Sequence, residues 1–214
     1  MAIRVILSGG GTGGHIYPAV AVAEALKRRL GDEVELLFVG AEGKMEMEKV
    51  PALGYCIVGL PIAGLQRRLE WRNLLVPFKV LRSIRLARRT IRDFGADVVV
   101  GFGGYASAPV LWAAQRMGVP TLIQEQNSYA GVTNKILARR AARICTAYEG
   151  MERFFPAEKI VLTGNPLRGG FSKGGVDRRE ALARFGLAVE LPELLAVGGS
   201  RGTRSPNDMP MPWL

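Results

Sequence analysis

Residues 8–18 read SGGGTGGHIYP and stand between the apolar run Ile3–Leu7 and a helical pattern. Glycines here let the backbone turn tightly and approach a ligand, and the N–H groups at the helix start favour an anion. The glycines also match the G-x-G-x-x-G pattern of dinucleotide-binding turns. A nicotinamide site further needs an acid about 20 residues on, yet Glu42, the nearest, lies 28 residues past Gly14. The stretch therefore predicts an anion-binding turn or a plain strand-to-helix turn, and it does not complete a nicotinamide site.

Outward from this loop, apolar runs typical of buried strands alternate with helix-period segments. We expect strands at residues 3–8, 34–39, 55–58, 97–101, 121–124, 143–146 and 160–162, and helices at residues 16–30, 77–94, 107–117, 132–138 and 178–185. Strands rich in valine, isoleucine and leucine that are joined by helices predict an α/β fold, a parallel sheet covered on both faces. With 214 residues, 48% of them apolar, the chain is long enough for one good core, or for one domain and part of another.

The composition changes after residue 162, which predicts a domain boundary. The stretch TGNPLRGGFSKGGVD that follows contains five glycines and a proline, as a linker does. We expect a first domain at residues 1–163, a linker with one helix at 164–190, and the truncated start of a second α/β domain at 191–214, opening with a strand at 194–197. Prolines after the next glycine turn forbid the helix that should follow, so we interpret residues 204–214 as a truncation or a reading-frame slip.

Three predicted turns lie at the carboxyl ends of strands, where open α/β sheets bind ligands. The first holds His15, the only histidine of the chain. The positive end of the helix dipole disfavours its charged form, so a neutral ring here either accepts a proton from a hydroxyl or merely caps the turn. The second turn, GFGGYASAP, adds Tyr105.

The third turn, IQEQNSYAGVTN, groups four polar side chains, Gln124, Glu125, Gln126 and Asn127. So many hydrogen-bonding groups in one turn suit a hydroxyl-rich ligand such as a sugar. Ordinary solvated loop residues are the alternative interpretation.

Positive charge is concentrated in one window of the chain. Nine basic residues and one acid lie between Arg67 and Arg92, in a chain whose formal net charge is +10. On the predicted helix these basic residues recur with the helical period and form a stripe beside the apolar stripe. Such an amphipathic pattern is typical of a solvated helix or of a helix docked on anionic lipid. The candidate membrane patch is Leu75, Phe78, Lys79, Arg82, Arg85 and Arg89. Nucleic acid is not expected as a partner, because the window lacks interleaved stacking aromatics.

The remaining composition narrows the class of protein. No apolar run reaches the roughly 18 residues of a membrane-spanning helix. Cys56 and Cys145 lie in apolar stretches and predict reduced core thiols of a cytoplasmic protein. One histidine and two distant cysteines do not make a zinc site, so we expect no metal and no cofactor.

Five stretches in order carry a resemblance to a known family: GGGTGGHIYPAVAVAEAL, GFGGYASAPVLWAA, QEQNSYAGVTNKILAR, TGNPLR and GGSRGTR. Together they resemble the MurG family, the bacterial N-acetylglucosaminyltransferases that convert lipid I to lipid II in peptidoglycan synthesis. The resemblance implies the GT-B fold of two Rossmann-like domains, here the N-terminal one with only the start of the second. Arg201 and Thr203 stand where the family usually has Gln and Ala.

The resemblance also implies an activity and a location. The enzyme inverts the anomeric carbon of UDP-N-acetylglucosamine and forms a β-1,4 bond to the muramyl 4-hydroxyl of lipid I. It works without a metal, as a peripheral protein on the cytoplasmic face of the cell membrane. Two alternatives remain: a related GT-B transferase with another lipid acceptor, and a catalytically incomplete module that binds acceptor and membrane.

Site residues follow from the same resemblance. The catalytic candidates are His15, as base or acceptor-orienting group, and Glu125. The expected donor-binding residues are Thr12, Gly13, Gly14, Asn127, Arg168 and Ser200. Tyr105 and Gln126 are expected on the acceptor side.

Overall fold

The computed structural model describes residues 2–62, 76–169 and 177–188. Its strands are β1 (Ile3–Ser8), β2 (Val34–Ala41), β3 (Ile57–Leu60), β4 (Val98–Gly101), β5 (Thr121–Glu125), β6 (Arg143–Thr146) and β7 (Ile160–Leu162). They form one sheet in the order β3-β2-β1-β4-β5-β6-β7, and every neighbouring pair is parallel. The first six positions follow the Rossmann strand order, which confirms the predicted fold class for this part of the chain.

Helices cover both faces of this sheet. The helices of the described residues are α1 (Gly13–Leu30), α2 (Glu46–Ala52), α3 (Val76–Phe94), α4 (Ser107–Met117), α5 (Val132–Leu137) and α6 (Arg178–Arg184). Helix α1 packs on one face, where Val50 of α2 joins its core, and α3, α4 and α5 pack on the other. Strand β1 serves both cores, because Val5 and Leu7 point towards α1 while Ile6 points towards α3 and α4. This alternation explains why the buried residues 5–7 of β1 are continuously apolar.

The chain divides into a compact unit that ends at Arg168 and a second unit that begins at Gly169. Helix α6 belongs to the second unit, and the Asp177 carboxylate caps it by accepting hydrogen bonds from two backbone N–H groups. The strand expected at residues 194–197 and the domain start at 191–214 lie outside the described residues. The domain boundaries at residues 163 and 190 stay predictions.

Several elements differ from the sequence-based expectation. Helix α1 begins at Gly13, three residues early, because the glycine turn feeds directly into the helix. Helix α2 was not predicted, since it has seven residues and contains Pro51. The cysteines are not core thiols: Cys56 is exposed, and Cys145 is half-buried beside Thr163.

Helix α3 buries only part of the apolar stripe expected for it, which is Phe78, Leu81, Ile84, Ile91 and Phe94. Ser83, Ala87 and Ile91 face the core at spacings of four residues. Phe78 and Leu81, which belong to the predicted apolar face, are 71% and 45% exposed. The amino-terminal half of the helix therefore presents apolar as well as basic side chains outward.

The strand order sets where the functional turns meet. Strands β1, β4 and β5 are adjacent and parallel, so the turns that follow them emerge at the same edge of the sheet. The loop after β1, the loop after β4 and the loop after β5 are the three glycine-rich or polar turns that the sequence singled out.

The contact between β4 and α4 yields a stability prediction. A Cβ on Gly101 would lie 2.4 Å from a methyl carbon of the fully buried Leu111, so strand and helix already touch. We expect Leu111→Ala to lower the free energy of unfolding by about 2–5 kcal/mol through lost burial and the resulting cavity, measured by urea denaturation. Leu53→Ala is the matched control, because Leu53 is 44% exposed; an equal loss in both variants would contradict the packing described.

Candidate functional site

The first glycine loop is held by two close approaches to the loop after β4. Gly11 has a φ of +85°, and a Cβ there would lie 2.9 Å from the Tyr105 ring. A Cβ on the neighbouring Gly104 would lie 2.3 Å from the carbonyl oxygen of Gly10. Only glycine permits both contacts, so the loops after β1 and β4 are packed backbone against backbone.

His15 lies in the first turn of α1, inside this contact. Its Nδ1 is 3.2 Å from the Gly10 carbonyl oxygen and 3.2 Å from Thr12 Oγ1. The Nε2 edge of the ring faces Gly103, where a Cβ would approach Nε2 to 3.2 Å. Both glycine loops therefore fix the orientation of the imidazole.

Glu125 ends β5 as a buried carboxylate, 2% exposed. Its Oε1 accepts hydrogen bonds from the backbone and side-chain nitrogens of Asn127, both at 3.1 Å. Its Oε2 accepts from the Gly131 backbone at 3.0 Å and from Asn134 Nδ2 at 2.9 Å. Four donors occupy this carboxylate, so it organises the loop between β5 and α5.

Gln126 connects the remaining segments of this edge. Its Nε2 donates to the carbonyl oxygen of Phe102 at 3.0 Å, which ties the loop after β5 to the loop after β4. Its own carbonyl accepts from Asn165 Nδ2 at 3.3 Å, which adds the segment after β7. Four of the five sequence stretches thus meet at one edge, and the fifth lies outside the described residues.

A cavity of about 250 Å³ opens between these loops. Its lining residues are His15, Gly103, Gly104, Tyr105, Glu125, Asn127, Gly131, Val132, Thr133 and Asn134. Burial raises the pKa of the Tyr105 hydroxyl, and the charge of Glu46 raises it further. Tyr105 therefore stays a neutral phenol at physiological pH, able to donate or accept a hydrogen bond.

The other predicted site residues are placed less centrally. Thr12, Gly13 and Gly14 start α1 at the same edge but do not line the cavity. The Arg168 guanidinium lies 4.7 Å from the centroid of the Tyr17 ring, beside the first turns of α1. Ser200 and Leu75 lie outside the described residues.

Sequence reasoning missed Glu46, the first residue of α2. Its side chain is 1% exposed and reaches the glycine loop, where its carboxylate accepts from the Gly11 backbone. A glutamate in a short helix is expected in solvent, which is why the pattern gave no sign of it. The Glu46 side chain fits here because Gly10 and Gly40 have no side chains. A Cβ on either glycine would lie within 2.6 Å of the Glu46 side chain.

A second cavity, of about 330 Å³, adjoins the first. It is lined by Ile62, Val80, Ile84, Ala108, Pro109, Trp112, Val132, Thr133, Ile136 and Leu137. Val132 and Thr133 line both cavities, so the apolar groove continues from the polar one. Ile136 and Phe78, each 71% exposed, extend the apolar surface, and Lys79, Arg82 and Arg85 are exposed on α3 nearby.

Neither a metal cluster nor a membrane-spanning helix is found in the described residues. In the part of the chain that the structure describes, no group of three or more His, Cys, Asp or Glu side chains is placed to hold a metal ion. None of the described helices is long and apolar enough to cross a membrane.

Comparison with known proteins agrees with this architecture. The model of the glycosyltransferase family 28 N-terminal domain matches residues 5–146. The chain is 58% identical over 204 residues to the UDP-N-acetylglucosamine–N-acetylmuramyl-(pentapeptide) pyrophosphoryl-undecaprenol N-acetylglucosamine transferase of Parabacteroides distasonis, covering 95% of this chain and 55% of that protein. It is 56% identical over 209 residues to the protein of the same name in Phocaeicola vulgatus, covering 98% of this chain and 55% of that one.

A solved structure is similar as well. The crystal structure of Acinetobacter baumannii MurG superposes with a TM-score of 0.66 at 34% identity, covering 76% of this chain and 46% of that chain. The chain thus spans about half the length of the relatives it matches.

The packing of the two glycine loops can be tested with a matched pair of substitutions. Gly104 and Gly118 have nearly equal φ values, +76° and +78°, but a Cβ on Gly118 would meet nothing within 4 Å. Gly118→Ala should cost about 1–2 kcal/mol of backbone strain alone. Gly104→Ala should cost roughly 1–3 kcal/mol more through overlap with Gly10, measured by urea denaturation; equal losses would contradict the close contact.

Proposed function

Because the chain belongs to glycosyltransferase family 28, we propose that it forms the acceptor-binding half of an N-acetylglucosaminyltransferase. The donor is UDP-N-acetylglucosamine, and the acceptor is the muramyl 4-hydroxyl of lipid I, which becomes lipid II. This assignment is supported by the relatives, which carry this activity in their names at 58% and 56% identity. The observation that carries it is the orientation of His15 into a polar cavity beside an anion-favouring helix start.

The reaction needs one proton acceptor and one group that stabilises a leaving diphosphate. The muramyl oxygen attacks the anomeric carbon, the bond from that carbon to the diphosphate oxygen breaks, and UDP leaves with the electron pair. The hydroxyl proton goes to Nε2 of His15. The N-terminus of the 18-residue helix α1, at Gly13 and Gly14, offers backbone N–H groups and a positive dipole end to the diphosphate. Arg168, beside the same turns, adds a cation.

Glu125 has a different part in this scheme. Its two oxygens already accept four hydrogen bonds from within its own loop. Because its hydrogen bonds are all used in this way, the carboxylate holds Asn127 and the cavity wall in place. His15 is therefore a better proton acceptor for the reaction than Glu125. Tyr105 lines the cavity, and Gln126 lies next to Glu125 and Asn127 of its lining. Both are proposed to contact the acceptor, and Asn127 the donor sugar.

The apolar groove gives the acceptor a route from the membrane. It continues from the polar cavity through Val132 and Thr133, so a lipid-linked sugar could place its head at His15 and its chain along the groove. The exposed side chain of Phe78 and the exposed basic residues of α3 lie on the helix that forms one wall of this groove. Apolar side chains flanked by lysine and arginine suit an anionic bilayer surface. We place the protein on the cytoplasmic face of the membrane, where UDP-sugars are found.

His15→Gln tests the proton acceptor. An amide can still contact the Gly10 carbonyl but takes up no proton, so kcat in the complete gene product should fall by about 10²–10⁴. The assay is transfer from UDP-N-acetylglucosamine to a lipid I analogue with a short, soluble chain. A loss below about tenfold would reduce His15 to a structural role, and absence of transfer in the unaltered protein would refute the proposed function.

Charge reversal on α3 tests membrane docking. Arg82→Glu with Arg85→Glu should weaken binding to vesicles that contain anionic lipid, by about 1 kcal/mol or more for each residue, while transfer to the soluble acceptor persists. Arg89 is left unchanged because it forms an ion pair with Asp93 at 3.3 Å.

The control for this pair is Arg28→Glu with Arg29→Glu, the same charge change at exposed positions in the last turn of α1. Vesicle co-sedimentation at low and high salt measures all three proteins. Equal weakening by both pairs would show that net charge alone, and not the face of α3, governs attachment.

A further inference from the structure

Glu46 is a buried charge whose position serves the glycine loop. Its carboxylate accepts hydrogen bonds from the backbone nitrogen of Gly11, at 3.2 and 3.3 Å to its two oxygens, and from that of Ala41 at 3.0 Å. The ion pairs found among the described residues involve other side chains. Burying a carboxylate against amide donors alone is costly in desolvation, which points to a task beyond stability.

The hydrogen bond from Gly11 connects Glu46 to His15 through a single peptide group. The N–H of Gly11 and the carbonyl of Gly10 belong to the same peptide unit and point in opposite directions, because that peptide is trans. Glu46 lies on its N–H side, and His15 Nδ1 lies 3.2 Å from its oxygen. The order of contacts is therefore carboxylate, peptide, imidazole.

The surroundings of Nδ1 allow two tautomers of the neutral ring. A carbonyl oxygen only accepts, so the contact with Gly10 requires a proton on Nδ1 and leaves Nε2 as the basic nitrogen. The Thr12 hydroxyl, also 3.2 Å from Nδ1, can instead donate to it, which puts the proton on Nε2. Only the first tautomer can receive a proton at Nε2, the nitrogen on the cavity side.

We propose that Glu46 is a positioning residue that holds His15 in the Nδ1–H tautomer by polarising the Gly10–Gly11 peptide. This inference rests on the proposed function of His15 as proton acceptor. Negative charge at the N–H end of a peptide makes its carbonyl a stronger acceptor, since hydrogen bonds in a chain polarise one another in a low-dielectric interior. The stronger carbonyl competes against Thr12 for Nδ1.

Packing from the loop after β4 prevents the Gly10–Gly11 peptide from rotating away from His15. Gly104 packs against the Gly10 carbonyl, and the Tyr105 ring packs against Gly11. Within the part of the chain that the structure describes, the charged and titratable groups seen around this assembly are Glu46 itself, Tyr105 from the loop after β4, and Glu125 from the end of β5. Glu125 is engaged by four donors of its own loop, which leaves Glu46 as the carboxylate coupled to the peptide.

The chain contains one histidine, so the tautomer can be measured without ambiguity. We would record ¹⁵N chemical shifts of the His15 ring in the 214-residue chain, at a pH where the ring is neutral. Unaltered protein should show protonated Nδ1 and unprotonated Nε2. Glu46→Gln, which keeps the shape but loses the charge, should raise the Nε2–H share. Glu48→Gln, the same change at an exposed position of the same helix, should leave the ring shifts unchanged.

Two results would overturn the proposal. One is a predominant Nε2–H tautomer in the unaltered protein, and the other is a folded Glu46→Gln variant with unaltered ring shifts. Backbone amide spectra establish whether each variant is folded. Should Glu46→Gln fail to fold, Glu46→Asp replaces it: the charge is kept but withdrawn by one methylene, so the ring shifts should move part of the way. Ring shifts of Glu46→Asp identical to those of the unaltered protein would equally reject the coupling.

A kinetic measurement separates this inference from the proposed function. Loss of a carboxylate that contacts a catalytic histidine directly and sets its tautomer can lower kcat by up to about 10⁴-fold. Because a peptide lies between Glu46 and His15, we expect Glu46→Gln to lower kcat by about 10- to 100-fold. KM for UDP-N-acetylglucosamine should stay within about twofold, because Glu46 accepts from the backbone of Gly11 and Ala41 and not from Gly13 or Gly14, where the diphosphate is proposed to bind. If the ring responds to Glu46→Gln but no protein transfers sugar, the positioning stands and the proposed function fails.

Discussion

The contact between two backbone loops, Gly104 against the carbonyl of Gly10, is the constraint on which this edge of the molecule depends. A side chain at either approach would force the loops apart, because the space is smaller than a methyl group. Adjacent parallel strands bring the loops to the same edge, but only the absence of side chains lets them touch. The position of His15 follows from that contact, because its Nδ1 lies 3.2 Å from the same carbonyl oxygen.

The fold was largely predictable from the sequence because its signal is local. Strand β1 is apolar on both faces at its buried residues 5–7, as a strand between two helical layers must be, and its bounds were predicted correctly. Helix α4 and strand β6 were predicted to the residue for the same reason. Helix α2 was missed because seven residues are too few for a helical period to show, and the burial of Ser83 on α3 was missed because the predicted stripe contained apolar residues only.

The site was predictable in its location and only partly in its chemistry. Ordered stretches identified the family, and the match to its N-terminal domain model confirms that identification. The sequence could not reveal that Glu125 is occupied by its own loop, since that depends on where Gly131 and Asn134 fold back. Nor could the sequence reveal Glu46. The acid considered after β2 was Glu42, which is exposed, whereas Glu46, four residues later, is buried.

The loop that surrounds Glu125 has a consequence for binding thermodynamics. Free loops lose conformational entropy when a ligand orders them, and that loss weakens the affinity. Here one buried carboxylate accepts hydrogen bonds from Asn127, Gly131 and Asn134 before any ligand binds, so the loop is ordered when the chain folds and not when the ligand binds. A cavity wall that is ordered in advance therefore loses little affinity to its own ordering.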